Sequence, residues 1–276
     1  LEQEFSIHEI RRGTFLFGCT RKPIRTLVDL EVAEKYEPKM PDTFPAFVKE
    51  KIRPVRQALG EAGILGIWSP NGPFNVASRL VDESDLYALF ITEPEFYQRL
   101  MNFSIDRVAD YTRAIDAAGV DAHIIGGNVA SGFLGRRNYD RYILDFEKKY
   151  IDIVQANGTP AIYHNCGQIM NLVESYKSLG VRVVEPFSPP PKLGDADLRR
   201  VKDQVKDAYT VIGGVDQVLV IQQGTPEQIR QVTAETMRIG KPGGGYIIQN
   251  ADFLEYGTPP ENVEAFVTTA LSEAEY

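Results

Sequence analysis

The chain has 276 residues, of which 43% are hydrophobic and 25% charged, and its formal net charge at pH 7 is −8. This is a globular composition, and its acidity disfavours nucleic-acid binding, which needs a basic surface. The sequence contains no apolar run of about 18 residues, so we expect no membrane span, and no signal peptide is visible. Cys19 and Cys166 do not suggest a disulfide framework, which favours a cytoplasmic protein with free thiols.

The first 60 residues have a loop-like composition, with prolines at 23, 38, 41 and 45. Their only strand candidate is the run from Thr14 to Gly18. We therefore expect residues 1–60 to be an irregular N-terminal segment belonging to the barrel, and residues 61–276 to be the barrel body that carries the active site.

From residue 61 onward, a glycine at the end of a helix repeatedly precedes a short apolar strand. Glycine suits the left-handed position after a helix because it has no Cβ atom. The predicted strands are 64–68, 120–125, 159–164, 181–185, 209–213 and 245–249. Amphipathic helices are predicted over 93–118, 138–157, 168–179, 195–206, 226–239 and 259–273. Short apolar strands between helices are typical of a parallel sheet covered on both faces.

Alternating strands and helices leave two architectures, a closed barrel and an open doubly wound sheet. A barrel needs eight strands, and six are well defined here, with 14–18 as a candidate seventh. Either the first part of the barrel is missing from this chain, or the first 60 residues contain strands that the pattern does not reveal. Helix starts are better marked, because Thr92, Thr225 and Thr258 each have Glu or Gln three residues later, as in a capping box.

Polar residues collect where the predicted strands end. They are Asn71, Asn128, His164, Cys166, Glu185, Asp216, Asn250 and Asp252. In a barrel, the C-terminal ends of the strands build the active site. The sequence therefore places its candidate site residues on one face of the fold.

The segment His164-Asn165-Cys166-Gly167 is the sharpest local signal. Imidazole and thiolate are ligands that zinc prefers, and two residues so close together after a strand can turn toward one ion. A capped strand end with a buried cysteine is the alternative. A nucleophilic Cys166 activated by His164 is a weaker reading, because residues two apart in a turn do not readily form the required hydrogen bond.

A second histidine, His123, lies in the pattern Asp121-Ala122-His123-Ile124-Ile125-Gly126. The same D-x-H-x-x-G spacing supplies a corrinoid ligand in some cobalamin-binding domains. Here the histidine falls inside the apolar strand rather than on a loop after it. A core histidine with satisfied hydrogen bonds is the favoured interpretation.

Several segments together resemble the uroporphyrinogen decarboxylase superfamily, in order from about residue 60 to the C-terminus. They are Gly72-Pro73-Phe74, His164-Asn165-Cys166-Gly167, Gly213-Gly214-Val215-Asp216, Gly243-Gly244-Gly245-Tyr246-Ile247, and Gly257-Thr258-Pro259-Pro260-Glu261-Asn262-Val263. The resemblance implies a single α/β domain with the (β/α)8 TIM-barrel fold, of which this chain could lack the N-terminal portion.

The superfamily resemblance implies one of two chemistries. True decarboxylases have an Arg-rich N-terminal motif that is not found here, a Tyr near the position of Arg79, and a His near the position of Asp252. The zinc-dependent methyltransferases that work with corrinoid proteins resemble this chain in the H-x-C pair. Their third ligand, commonly Cys, corresponds to Asp252, and Glu185 matches a carboxylate that can fill a fourth position.

We therefore expect a zinc-dependent methyltransferase that moves a methyl group from a methoxylated or methylated small molecule to a corrinoid protein. Its expected zinc ligands are His164, Cys166, Asp252 and Glu185, and the last two are also its expected catalytic residues. The expected substrate-binding residues are Asn71, Arg79, Asn128, Asp216 and Asn250. A homodimer is a further expectation. The alternatives are a decarboxylase and a non-catalytic small-molecule binder on the same fold.

Overall fold

The computed structural model of the protein describes residues 7–10 and 17–275. Its strands are β1 (Ile7–Ile10), β2 (Phe17–Arg21), β3 (Gly66–Trp68), β4 (Ala122–Gly126), β5 (Ala161–His164), β6 (Val183–Phe187), β7 (Thr210–Val215) and β8 (Tyr246–Asn250). Its helices are α1 (Leu27–Tyr36), α2 (Phe44–Leu59), α3 (Pro73–Leu80), α4 (Glu83–Thr92), α5 (Pro94–Asp116), α6 (Arg136–Asn138), α7 (Leu144–Val154), α8 (Val173–Tyr176), α9 (Leu198–Val205), α10 (Pro226–Gly240) and α11 (Pro260–Ser272). Two π-helical segments, Tyr139–Ile143 and Gln217–Gln222, follow α6 and β7.

Strands β3 to β8 form one six-stranded sheet in sequential order, and every neighbouring pair is parallel. Helices connect each strand to the next, which is the arrangement that parallel pairing requires. The six predicted strands of this sheet are confirmed. Of the eight strands expected for a complete barrel, the described residues contain six, which form one parallel sheet.

The N-terminal region differs from the prediction of an irregular segment, because it contains the helices α1 and α2. Helix α1 begins with a capping box between Thr26 and Asp29, a signal that we did not recognise. The candidate strand at 14–18 coincides with β2 only at residues 17 and 18, and residues 14–16 lie outside the described part of the chain. Strand β2 pairs antiparallel with β1 in a separate two-stranded sheet, so its assignment as a seventh barrel strand is wrong.

Of the three predicted threonine caps, only Thr225 caps its helix through its side chain. It forms a complete capping box with Gln228 at the start of α10. Thr92 instead donates to the carbonyl of Ala88 in the preceding helix, and Thr258 donates to the carbonyl of Glu255. A threonine hydroxyl can also satisfy a nearby carbonyl, and in both places that local bond replaces the predicted cap.

The main hydrophobic core lies between the sheet and its helices and includes a group of fully buried tyrosines. Tyr139, Tyr163 and Tyr176 pack edge to face, with ring centroids 5.6 to 6.0 Å apart. A smaller core joins α2 to α5 through Val48, Ile52 and neighbouring apolar residues. In the described part of the chain, no helix is long and apolar enough to cross a membrane.

His123 belongs to the contact between β4 and α5. Its Nδ1 lies 2.7 Å from Ser69 Oγ and its Nε2 lies 3.3 Å from Asp116 Oδ1, and the ring is fully buried. Both ring nitrogens therefore have partners inside the protein. This agrees with the favoured interpretation of a core histidine.

Candidate active site

Strand register brings the strongest sequence motif to the end of the sheet. Gly126 at the end of β4 pairs with His164 at the end of β5, and His164 pairs with Glu185 in β6. In a parallel α/β sheet, ligands bind beyond the carboxyl ends of the strands. The positions of His164 and Glu185 thus follow directly from pairing, although they are 21 residues apart in the chain.

The side chains of His164, Glu185 and Cys166 form one connected group. His164 Nδ1 lies 3.2 Å from Glu185 Oε1, and Cys166 is close enough to His164 to raise the pKa of its imidazole. Glu185 and His164 are buried, whereas Cys166 is half-buried at the start of the following loop. A nitrogen, a sulfur and a carboxylate oxygen therefore meet at this end of the sheet.

The electrostatic surroundings of His164 favour its protonated form when no metal is bound. Burial alone lowers the pKa of the imidazole, but the hydrogen bonds and charges of Cys166 and Glu185 outweigh it. Together they raise the pKa of His164 to about 9. In the metal-free chain, the protonated imidazole of His164 therefore interacts with Cys166 and Glu185, two groups that can also bind a metal ion.

Asp252 does not join this group as the sequence led us to expect. Its Oδ1 accepts a hydrogen bond from the adjacent Phe253 amide at 2.9 Å, and its carbonyl accepts one from Asn250 Nδ2. Within the described residues, no three His, Cys, Asp or Glu side chains are arranged to hold a metal ion. The four predicted zinc ligands are therefore not gathered around one point in the described residues, because the Asp252 carboxylate is bound to the Phe253 amide.

The chemistry of the group still fits zinc. Imidazole nitrogen, cysteine sulfur and carboxylate oxygen are all ordinary zinc ligands. A carboxylate that accepts from one ring nitrogen also leaves the other nitrogen of His164 to face a metal, an arrangement common around metal-bound histidines. His164 and Cys166 are thus the residues that could hold the ion, and Glu185 orients the imidazole.

Two of the expected substrate-binding asparagines lie near the same edge. Asn71 packs against the backbone of Gly126, where an added Cβ would lie 2.7 Å from Asn71 Oδ1. Asn128 is exposed and accepts a 2.5 Å hydrogen bond from Asn75 Nδ2, while Asn75 Oδ1 accepts from the Val129 amide. Asn75 was missed in the sequence because it lies in the first turns of α3 rather than at a strand end.

Asp216 caps the helical segment that follows β7. Its Oδ1 accepts from the amides of Val218 and Leu219, each at 2.7 Å, and so caps the helical segment after β7. Its other carboxylate oxygen, Oδ2, is buried and has no hydrogen-bond partner in the described residues. One carboxylate oxygen of Asp216 is therefore used as a helix cap, and its expected role in substrate binding stays a prediction.

Three arginines near this part of the sequence are exposed. Arg79 lies in the last turn of α3. Arg136 and Arg137 are also exposed, and Arg136 pairs with Asp140 at 3.2 Å. A substrate with several carboxylates would need arginines that face the pocket. All three side chains are exposed to solvent, and the role of Arg79 in substrate binding stays a prediction.

Two further residues of this region were not singled out in the sequence. Trp68 ends β3, and its ring lies edge to face with the ring of His164, with centroids 4.9 Å apart. Glu147 in α7 is fully buried behind the Gly72-Pro73-Phe74 turn and accepts a hydrogen bond from the Phe74 amide at 3.3 Å. The rule that strand ends carry site residues would have found Trp68, whereas no sequence signal marks Glu147.

Comparisons with known proteins agree with this fold. The sequence pattern of the uroporphyrinogen decarboxylase (URO-D) family matches residues 19–272. A methylcobamide:CoM methyltransferase of Methanosarcina acetivorans is 24% identical over 274 residues, covering 92% of this chain and 75% of that protein. A uroporphyrinogen decarboxylase of Prochlorococcus marinus is 25% identical over 256 residues, covering 90% and 68% respectively.

A solved methyltransferase structure from Methanosarcina mazei has the same fold. It superimposes with a TM-score of 0.78 at 17% sequence identity, covering 98% of this chain and 76% of that one. The match of the family pattern across most of the chain and the parallel sheet with His164 at its end lead to the same assignment. The chain belongs to the uroporphyrinogen decarboxylase (URO-D) family.

Proposed function

We propose that this chain is a corrinoid-linked methyltransferase, which moves a methyl group from a methoxylated or methylated small molecule to a corrinoid protein. The observation that carries the proposal is the group formed by His164, Cys166 and Glu185 at the carboxyl edge of the sheet. The names of its relatives support it, since one of them is a methylcobamide:CoM methyltransferase.

In this proposal, His164 and Cys166 hold a zinc ion. Zinc, when bound, acts as a Lewis acid that polarises the heteroatom carrying the methyl group. Glu185 keeps the imidazole in the orientation and tautomer that expose its second ring nitrogen, as carboxylates near metal-bound histidines do. Removing Glu185 should therefore weaken metal binding without eliminating it.

Asp252 enters the proposal only for the metal-bound state. Its carboxylate makes only a local hydrogen bond to Phe253, and the loop that follows is exposed, so little free energy opposes its rotation. A zinc ion with one thiolate ligand keeps a net positive charge, which a nearby carboxylate neutralises. We propose Asp252 as that carboxylate in the metal-bound state.

A decarboxylase is the second candidate, and the identity to uroporphyrinogen decarboxylases favours it. A substrate with several carboxylates needs several arginine partners, yet Arg79, Arg136 and Arg137 are all exposed. A decarboxylation that needs only a proton donor could still use His164. Metal content and methyl transfer therefore separate the two functions.

The test combines elemental analysis with an acceptor assay. The purified chain should contain close to one zinc, and His164→Ala or Cys166→Ala should eliminate it. Supplied with cob(I)alamin and a methylated donor, the wild-type chain should oxidise the Co(I) form by methylation, measured by absorbance, and both variants should not. The exposed Glu227→Gln variant is the matched control. Full zinc content in both alanine variants would refute the proposal.

A further inference from the structure

Glu147 in α7 is fully buried, and its carboxyl group lies under the β3–α3 turn, residues 69–72. The three atoms nearest to a Cβ built on Gly72 all belong to this carboxyl group, and a methyl group there would overlap with Oε2. The backbone of Gly72, with φ −56° and ψ 156°, has a conformation that any residue can adopt. The contact with Glu147, rather than the conformation of the turn, therefore leaves no room for a side chain at Gly72.

Two side chains of α7 bind the turn and the start of α3. The amide of Phe74 donates to Glu147 Oε1 at 3.3 Å, and Tyr150 Oη donates to the carbonyl of Pro70 at 2.8 Å. The second carboxyl oxygen of Glu147, Oε2, is buried and has no hydrogen-bond partner in the described residues. The turn is thus packed on a carboxyl group of which only one oxygen is satisfied.

The same turn forms one side of the candidate active site. The amide of Gly72 donates to the carbonyl of Gly126 at 2.9 Å, and Gly126 pairs in register with His164. Asn71, inside the turn, packs against Gly126 as well. A movement of the turn would therefore change the edge of the site beside His164.

No positive charge compensates Glu147 in the described part of the chain. The titratable groups that face it are Tyr97 from α5, Tyr139 from the π-helical segment before α7, Tyr150 from its own helix and Tyr163 from β5. Burial raises the pKa of all four phenols, so they remain neutral near pH 7. A buried charge without a partner is strongly disfavoured, and exposure to water relieves this cost.

The start of α3 favours a negative charge on Glu147 only weakly. Helix N-termini attract anions, but in the described residues a single amide, that of Phe74, donates to the carboxyl group, over 3.3 Å. Arg79, the ionisable residue of α3, is exposed in the last turn of that helix. Burial is the larger effect and raises the pKa of Glu147 to about 8, whereas the Phe74 amide lowers it by less. The neutral carboxyl group is therefore the form that fits this packed position.

We propose that the proton of Glu147 keeps the β3–α3 turn closed, and that its loss opens this turn beside His164. A carboxylate in the closed position has no partner for Oε2, whereas an opened turn admits water to it. Opening breaks the hydrogen bonds of the Gly72 and Phe74 amides, and Asn71 moves with the turn. The inference needs neither a metal nor a methyl donor, so it is independent of the proposed function.

Amide hydrogen exchange on the full chain measures the opening of the turn. In wild type, the protection factors of the Gly72 and Phe74 amides should fall by up to about tenfold per pH unit between pH 6 and pH 8, because opening releases one proton. In Glu147→Gln the protection should be independent of pH, since the side-chain amide cannot ionise. Glu227→Gln, at an exposed residue of α10, is the matched control and should follow wild type.

Urea separates opening of the turn from unfolding of the whole chain. A local opening exposes little surface, so exchange of the turn amides should change little in urea well below the unfolding midpoint. Exchange through global unfolding accelerates with urea instead. The slowest amides of β5 provide that reference in the same sample.

Gly72→Ala tests the packing independently of ionisation. The added methyl group should displace the turn even at pH 6 and lower the protection of the residue 72 amide by about tenfold or more. A second substitution in the same chain, Glu147→Ala, removes the obstructing carboxyl group and should restore part of this protection. A rescue of this kind depends on the contact between the two residues and not on either residue alone.

Three results would overturn the inference. The first is a protection of the turn amides that is independent of pH in wild type, or that falls equally in Glu147→Gln. The second is exchange of these amides with the urea dependence and protection of the β5 amides, which would mean that Glu147 acts only on global unfolding. The third is wild-type protection in Gly72→Ala at pH 6. If Gly72→Ala does not fold, the comparison of wild type with Glu147→Gln still decides.

Discussion

His164 Nδ1 lies 3.2 Å from Glu185 Oε1, and neither side chain is more than 11% exposed. A carboxylate in this position can fix which ring nitrogen carries the proton, because it accepts only from a protonated nitrogen. The contact also joins two adjacent strands of the sheet at the site. Its consequences for metal binding and pH dependence can be measured.

Zinc affinity should rise with pH until His164 has lost its proton. Because Glu185 helps to raise the pKa of His164, it should move the upper end of this rise to a higher pH. The metal-free chain holds a proton on His164 up to pH about 9, because Cys166 and Glu185 overcome the effect of burial, and zinc must displace that proton. In Glu185→Gln the His164 contribution to this increase should end at a lower pH. Chelator competition between pH 6.5 and pH 9 measures both curves, and parallel curves would show that the Glu185 contact does not control His164.

Replacing Asp252 should weaken zinc binding by about tenfold, within the range that loss of a supporting carboxylate costs. Asp252→Asn is the informative partner of Asp252→Ala, because the amide can still accept from Phe253 but carries no charge. Both variants should keep the thermal unfolding temperature of wild type to within a few degrees. If both bind zinc as tightly as wild type, Asp252 is only a loop cap.

Glu147 should make the fold less stable as pH rises. Burial raises its pKa to about 8, while the Phe74 amide lowers it by a smaller amount. Between the unfolded value of 4.5 and about 8, the folded state binds more protons than the unfolded state. The resulting stabilisation is therefore complete below pH 4.5 and is lost as pH rises through 8, by about 1.4 kcal/mol per unit.

The matched variant is Glu147→Gln, which keeps the size of the side chain and cannot ionise. Its free energy of unfolding, measured by urea denaturation, should increase relative to that of wild type as pH rises from 5 to 8. The reason is that wild type loses stability over this range and the variant does not. A constant difference between the two proteins across this range would contradict the assignment.

His123 should have the opposite effect on stability. Burial lowers its pKa, and the contact with Asp116 opposes that change only in part, so the folded state favours the neutral ring. Below the ordinary value of 6.5 the unfolded state binds more protons, and stability falls as pH decreases through this range. His123→Asn should be less stable at pH 7, because it leaves a cavity and unpaired groups, but its deficit should shrink toward pH 5.5. A deficit that is independent of pH would exclude this role.

The linear sequence was sufficient for the parallel sheet and for the centre of the site. Four strands were predicted from a helix-ending glycine followed by an apolar run and two from the apolar run alone, and all six predicted starts lie within two residues of the observed starts. These features are local, because each depends on backbone freedom or on side-chain burial within a few residues. His164 and Cys166 were proposed for the same reason, since His164 ends one strand and Cys166 follows it.

At two predicted positions a nearby group competes for the same atoms. The Asp252 carboxylate accepts from the adjacent Phe253 amide, and its role as a ligand stays a prediction. Asp216 likewise caps the helical segment that begins directly after it. In the N-terminal region, the many prolines indicated loops, yet α2 includes Pro54 and remains a helix that packs on α5.

Only the tertiary structure decided which distant residues share an environment. The contact between His164 and Glu185 depends on strand register, and that between Trp68 in β3 and His164 in β5 spans the intervening strand β4. Glu147 is buried because α7 packs behind the turn after β3, a contact between residues 73 positions apart. The sequence determined the strands and the chemistry at their ends, because those depend on neighbours along the chain. Packing determined how the side chains are paired and ionised, because burial and charge in this site come from other strands and helices.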